Sequence, residues 1–265
     1  MFFRLAVAVF GVSLAFAVVE LARAPSWTIL PGLLVGWAVI DFCSGLVHML
    51  LDYVPVPARM RLDLLYFARN RSTEEYLRLR REILGPVGPF WRIAFNFKYH
   101  HPRPNALGKR TLKQLCAETL YFAALPTALA LDVALVFAPP PPWVTAAAIS
   151  MVIGALFIQY FHATLHRPVP PAFVAVMRRL RLLMTPEAHQ RHHDVQDNSF
   201  AIIAGWSNPL LDPLFRILVS TGVCRAENLE PPRSEATRDL DTVRQRSVAV
   251  DRPGAGAPRG ADRHG

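Results

Sequence analysis

Long uncharged runs separated by basic stretches set the pattern of this chain. Residues 5–19 carry no charge, and residues 27–51 are interrupted only by Asp41 and His48. Each run is long enough, or nearly so, to cross ~30 Å of hydrocarbon as a helix of about 20 residues. A third run, 115–138, carries Glu118 and Asp132 and stops at four successive prolines, Pro139 to Pro142, which cannot continue a helix. They read as a tight hairpin outside the membrane. Trp143 opens a fourth run that ends at Leu165, before Arg167, Pro168 and Pro170. The pattern predicts an all-α, polytopic integral membrane protein with about four transmembrane helices. Residues 201–220 are apolar again but broken by Asn208, Pro209, Asp212, Pro213 and Arg216, which suits an interfacial or re-entrant segment better than a fifth span.

Three parts are expected. Residues 1–24 form a first transmembrane segment or signal anchor, residues 25–222 a main domain with three further spans and the interfacial segment, and residues 223–265 a polar tail. From about Ala226 onward Pro, Gly, Arg and Asp dominate, the signature of disorder. Ala22 and Ala24 flank Arg23 in a small-x-small pattern, so a cleaved signal peptide is the other reading of the first run. Pro25 after such a cut, and Arg4 as the sole cation before the run, weigh against it.

Composition sharpens the picture. With 52% hydrophobic and 18% charged residues, and a mean hydropathy of +0.24, a freely soluble cytosolic enzyme is excluded as the default. The net charge of +9 resembles a nucleic-acid signal until the charges are located. Residues 52–114 hold thirteen Lys or Arg against five Asp or Glu, and residues 167–200 hold Arg167, Arg178, Arg179, Arg181 and Arg191. Such loops belong on the cytoplasmic side, so both termini are expected there, in a bacterial-type inner membrane, with no nucleic-acid partner. Cys43, Cys116 and Cys224 lie far apart without a CxxC pair, which excludes a disulfide framework and a thiolate zinc site.

That arrangement gathers nearly all the histidines on one membrane face. His48 and Asp52 are spaced i, i+4 at the inner end of the second span, and His100 and His101 are adjacent in the basic loop. His162 and His166 are spaced i, i+4 at the end of the fourth span, and His189, His192 and His193 follow. Side chains at i and i+4 share a helix face with Cβ atoms ~5–6 Å apart, close enough to grip one metal. Taken alone, His48 reads more naturally as a hydrogen-bonded interfacial histidine, whereas the pair His162 and His166 shifts the balance toward ligation, because ionisable residues within spans are costly and usually functional. His264, in the tail, is set aside as solvated. Eight imidazoles exceed the three or four donors one zinc accepts, and the HExxH general base is missing, since Ala163, Thr164 and Leu165 separate His162 from His166. Two iron ions accommodate them and leave positions open for oxygen.

The run Asp41-Phe-Cys-Ser-Gly-Leu-Val-His48 with Asp52, the Phe-Lys-Tyr-His100-His101 segment, the His162 to His166 box, and His189-Gln-Arg-His192-His193 followed by Gly205-Trp206-Ser-Asn208 resemble the Kua, or plasmanylethanolamine desaturase, family of membrane lipid desaturases. That family also includes the plastid phosphatidylglycerol desaturase. The similarity runs in order from about Val35 to Phe215. It implies a di-iron enzyme using O2 as co-substrate on a membrane phospholipid, with the eight histidines as ligands. Two departures concern their surroundings: Pro102-Arg103-Pro104 stands where the family often has x-Asp-Pro, and the His162 box lacks an internal Trp.

Around these ligands, Asp41, Asp52 and Asp194 are expected to orient histidines, and Asp52 is a candidate ligand itself. Asn208 is a candidate for completing a coordination sphere through water, with turn formation before Pro209 as the alternative. Gly45 is a candidate for substrate access, with helix packing as the alternative. No dinucleotide fingerprint, CxxC cluster or CxxCH haem motif occurs, so an external donor of ferredoxin or cytochrome type is implied. The expected reaction is desaturation near the head group, plasmanyl to plasmenyl vinyl-ether formation. Acyl-chain desaturation, lipid hydroxylation at the same site, and a non-catalytic membrane metal-binding protein are the alternatives.

Overall fold

The computed structural model describes residues 2–235 and Thr237, and in these every regular element is a helix. The tail beyond, with His264, lies outside the described residues. The described residues form two compact units: one runs to Val54 and resumes over Ile93–Leu229, and the other comprises Pro55–Arg92 and the described residues from Glu230 to Thr237.

The first unit holds the apolar helices. In chain order they are α1 (Phe2–Arg23) and α2 (Ile29–Tyr53), and, after α3 (Leu62–Tyr66) and α4 (Glu74–Leu84) of the second unit, α5 (Pro89–His100), which enters the first unit at Ile93. Next come α6 (Pro104–Gly108), α7 (Leu112–Thr119), α8 (Leu125–Phe137), α9 (Pro142–Leu165), α10 (Ala172–Arg179), α11 (Pro186–Val195) and α12 (Asn208–Ser220). A five-residue π turn, Leu120–Ala124, joins α7 to α8 just ahead of Pro126, whose missing N–H interrupts the regular ladder. Four helices are long and apolar enough to cross a membrane: Phe2–Arg23, Ile29–Tyr53, Leu112–Phe137 and Pro142–Leu165. These are the four runs of the hydrophobic pattern. With 13 residues, α12 is too short to span; it buries Leu211 and Phe215 and leaves Leu210 and Ile217 exposed.

Contact between α2 and α9 decides where the histidines go. A Cβ on Gly32 would lie 2.3 Å from the Trp143 carbonyl oxygen, and one on Gly36 would lie 2.1 Å from that of Ala147. These two glycines, one turn apart, let the backbones touch, as small residues do in membrane helix pairs. Further along, Gly154 receives the Ile40 side chain. Contacts 32–143, 36–147 and 40–154 advance together, so the helices run parallel and end at the same level. His48 and His162 therefore meet, with ring centroids 5.4 Å apart.

In the second unit, Asp63 is buried and accepts hydrogen bonds from the Ser234 backbone N–H (2.8 Å) and hydroxyl (2.6 Å) and from the Thr237 hydroxyl (2.5 Å). Burial alone raises a carboxyl's pKa, yet these donors outweigh it and hold Asp63 below the usual carboxylate value. The beginning of the polar stretch is thus tied down: in the first unit Cys224 is buried, and the Asn228 carbonyl accepts from Lys98 (2.6 Å).

Candidate metal centre

Two groups of donor atoms converge where α2, α5, α9 and α11 meet. His100, His162, His166, His189 and His193 form one, and His48, Asp52, His101 and His192 the other; within each group the ligand atoms all lie within 4.8 Å of one another. In the first, His189 Nε2 stands 3.0 Å from His162 Nε2, 3.2 Å from His166 Nε2 and 3.1 Å from His193 Nε2. One ring nitrogen carries at most one hydrogen, so it cannot satisfy three others. A shared cation satisfies all four. In the second group, Asp52 Oδ2 lies 3.3 Å from both His48 Nε2 and His192 Nε2, and Oδ1 lies 3.1 Å from His101 Nε2.

The rings are set for ligation by their other nitrogens. His48 Nδ1 donates to the Phe200 carbonyl (2.9 Å), His192 Nδ1 to the Asn198 carbonyl (2.8 Å), and His100 Nδ1 to the Phe97 carbonyl. Each Nε2 lone pair is thereby turned inward. His100 Nε2 is buried with no hydrogen-bond partner among the described residues, and the buried Nε2 atoms of His48 and His192 face only the shared Asp52 Oδ2 at 3.3 Å, a costly arrangement unless a metal takes them up. Burial, reinforced by neighbouring imidazoles, pushes His166 down to about 4 and His193 to about 2, and holds His100 and His189 well below the usual histidine value. These rings are neutral at physiological pH, the form that binds metal. A set of eight imidazoles and one carboxylate suits iron.

The other expected site residues go elsewhere. Asp41 is fully buried but turns away from the imidazoles: Oδ1 accepts the backbone N–H of Ala204 (2.7 Å) and Gly205 (3.0 Å), and Oδ2 accepts the Ser207 N–H (3.0 Å) and hydroxyl. It anchors the loop that delivers the Asn198 and Phe200 carbonyls to His192 and His48. Asn208 Oδ1 caps the Ala201 N–H (2.9 Å) in the same loop. Asp194 is exposed and accepts from Gln190 (2.8 Å). A Cβ on Gly45 would meet Leu211 at 2.2 Å and the Ala201 nitrogen at 3.0 Å, so this glycine admits α12 and the loop rather than open space. Beside it, the Ser44 hydroxyl accepts the Ile202 N–H (3.1 Å).

Lys98 was not singled out by the sequence pattern. It is buried, and its Nζ donates to the Asp52 and Asn228 carbonyls. The Asp52 carbonyl is in the last turn of α2, where the helix itself supplies no donor, so Lys98 ties α5 to the end that carries Asp52 and His48. Burial lowers its pKa to about 8, partly opposed by Asp52. A cation two residues before the histidine pair was the available signal.

Comparison with known proteins agrees with this geometry. A family model described as a lipid desaturase domain matches residues 86–221, just over half of the chain, and includes every donor except His48 and Asp52. A plasmanylethanolamine desaturase of Myxococcus xanthus is 24% identical over 243 residues, covering 89% of this chain and 73% of the relative. No solved structure matches.

Proposed function

The chain belongs to the lipid desaturase family, and from that membership we propose that it holds two iron ions and uses O2 to desaturate a phospholipid chain near the head group. The observation that carries this reading is the pair of buried donor groups, five histidines in one and three histidines with Asp52 in the other. Iron bound there supplies the O2-dependent oxidising power for cleaving an unactivated C–H bond, which side chains lack. Loss of two hydrogens while O2 becomes two waters requires two electrons and two protons, which an external ferredoxin- or cytochrome-type donor delivers.

The protein's own contribution is positioning. The Phe97, Asn198 and Phe200 carbonyls fix three rings, Lys98 holds the end of α2, and burial keeps bulk water from His48, Asp52, His100, His162 and His192. His48 and His162 sit in the last turns of their spans, at interfacial depth, so a mid-chain carbon would have to bend back toward them. A chain carbon next to the glycerol lies within reach. Vinyl-ether formation on a plasmanyl lipid fits that depth, and plasmanylethanolamine is the substrate in the name of the Myxococcus relative. Cells expressing the protein and fed alkylglycerol should accumulate acid-labile vinyl ethers lighter by two hydrogens. A product unsaturated only near the middle of an acyl chain would refute the depth argument, and a gain of oxygen would indicate hydroxylation.

We further place the donor groups on the cytoplasmic side, on the strength of the basic residues flanking the spans. Reporters fused after Asp63 and after His193 should both report cytoplasm, and one inserted among Pro139 to Pro142 the opposite side. An outside signal at His193 reverses the assignment.

A further inference from the structure

One face of α11 supplies His189, His192 and His193, and another lines a cleft of about 630 Å³ to which Ala188 and Arg191, nearly one turn apart, contribute. Arg178 and Arg181 also line it, as do Trp206 and Ser199. Two of these arginines are free to act. Arg178 is engaged, donating to the Met184 carbonyl (3.0 Å) and the Thr164 hydroxyl (3.1 Å). Arg181 and Arg191 are exposed, and neither side chain has a hydrogen bond or ion pair among the described residues. Asp212, the carboxylate in the lining, already accepts the Ser199 N–H (2.9 Å).

The cleft is held in a conformation that ordinary residues avoid. Arg181 has φ 59°, Ser199 φ 59° and Gly205 φ 77°, and all three line it. Such backbone persists where surrounding structure enforces it, and it concentrates at ligand sites. Here the enforcement is visible. Trp206 Nε1 donates to the Arg181 carbonyl (2.8 Å), and Trp37 Nε1 to the neighbouring Leu182 carbonyl (2.8 Å). Trp206 is 40% exposed, and Pro209 also lines the cleft. Free guanidinium forks next to a partly exposed tryptophan match an amphipathic anion at a membrane interface.

We propose that this cleft binds the phosphate of a glycerophospholipid head group through Arg181 and Arg191, an inference that rests on the lipid-desaturase reading. The cleft and the donor groups both draw residues from α11, a helix ~10–12 Å across with its side chains, so the proposed phosphate site adjoins the donor groups. The specificity predicted is for a phosphodiester-bearing lipid over a neutral glyceride.

The test is calorimetric titration of the intact, iron-loaded protein in a maltoside detergent with three probes: dihexanoyl phosphatidylethanolamine, dihexanoylglycerol and inorganic phosphate. Arg181→Gln and Arg191→Gln should each weaken phospholipid binding about tenfold, the loss of one charge-assisted contact, without changing dihexanoylglycerol binding or iron content. Arg179→Gln, an exposed neighbour outside the cleft, should bind like the parent. If a Gln variant loses iron, Arg191→Lys, which keeps the cation without the planar fork, should keep its iron and still bind phospholipid less tightly than the parent. Phospholipid binding that ignores all these substitutions overturns the proposal, as does a parent protein that prefers phospholipid no more than dihexanoylglycerol. Arginine-dependent binding of inorganic phosphate that the phospholipid fails to displace would mark a free-phosphate site and overturn it equally. The readout needs no turnover: intact arginine-dependent binding without a desaturated product would remove the desaturase reading and leave the cleft.

Discussion

His162→Ala and His192→Ala should each leave about one iron per chain, against two in the parent, and no detectable desaturation. The two substitutions strike different donor groups, since His162 faces His189 at 3.0 Å and His192 faces Asp52 at 3.3 Å. Losing a residue that only supports a ligand costs ~10–100-fold in metal affinity or activity. Losing a ligand should exceed that, and the residual iron should identify the emptied group. Iron per chain by mass spectrometry, together with lipid analysis of the same preparations, checks both. One tightly held zinc in the parent, with activity indifferent to iron chelation, would sink the di-iron reading. So would either variant keeping two irons and full activity.

Asp41→Ala should be the most destabilising change away from the donors. The carboxylate accepts the N–H groups of Ala204, Gly205 and Ser207 and the Ser207 hydroxyl in a buried setting. Each donor stranded without a partner costs ~1–3 kcal/mol, so an overall loss of about 3–5 kcal/mol is expected after partial relaxation. The effect should also reach the metal. The released loop carries the Asn198 and Phe200 carbonyls that hold His192 and His48, so iron should be lost first from the group containing Asp52. Thermal unfolding in detergent and iron content measure the two consequences separately. An Asp41→Ala protein that unfolds with the parent and keeps both irons would show that the loop is held by other contacts.

Much of this architecture is legible in the sequence. Run length and charge are local properties, and helices within hydrocarbon must satisfy their own backbone polar groups. Four spans and an interrupted fifth stretch could therefore be read from residues 5–19, 27–51, 115–138, 143–165 and 201–220. The i, i+4 spacings of His48 with Asp52 and of His162 with His166 were likewise visible, because helical geometry alone puts such pairs on one face. Asp41 misled for an equally physical reason. An acid in an apolar run signals a buried partner without saying which, and the partner proved to be backbone N–H groups more than 160 residues away in sequence.

Division of the donors was settled only by packing. Adjacent His100 and His101 go to different groups, and so do adjacent His192 and His193. Successive side chains on a helix diverge by ~100°, so neighbours in sequence point to different places, and what stands in each place depends on other helices. Gly32 and Gly36 let α2 and α9 meet backbone to backbone in parallel, and Lys98 ties α5 to the end of that pair. Spacing along the chain states which residues can share a face of one helix. Which faces of α2, α5, α9 and α11 then enclose a common point depends on close contacts between segments far apart in the chain, and no local pattern encodes them.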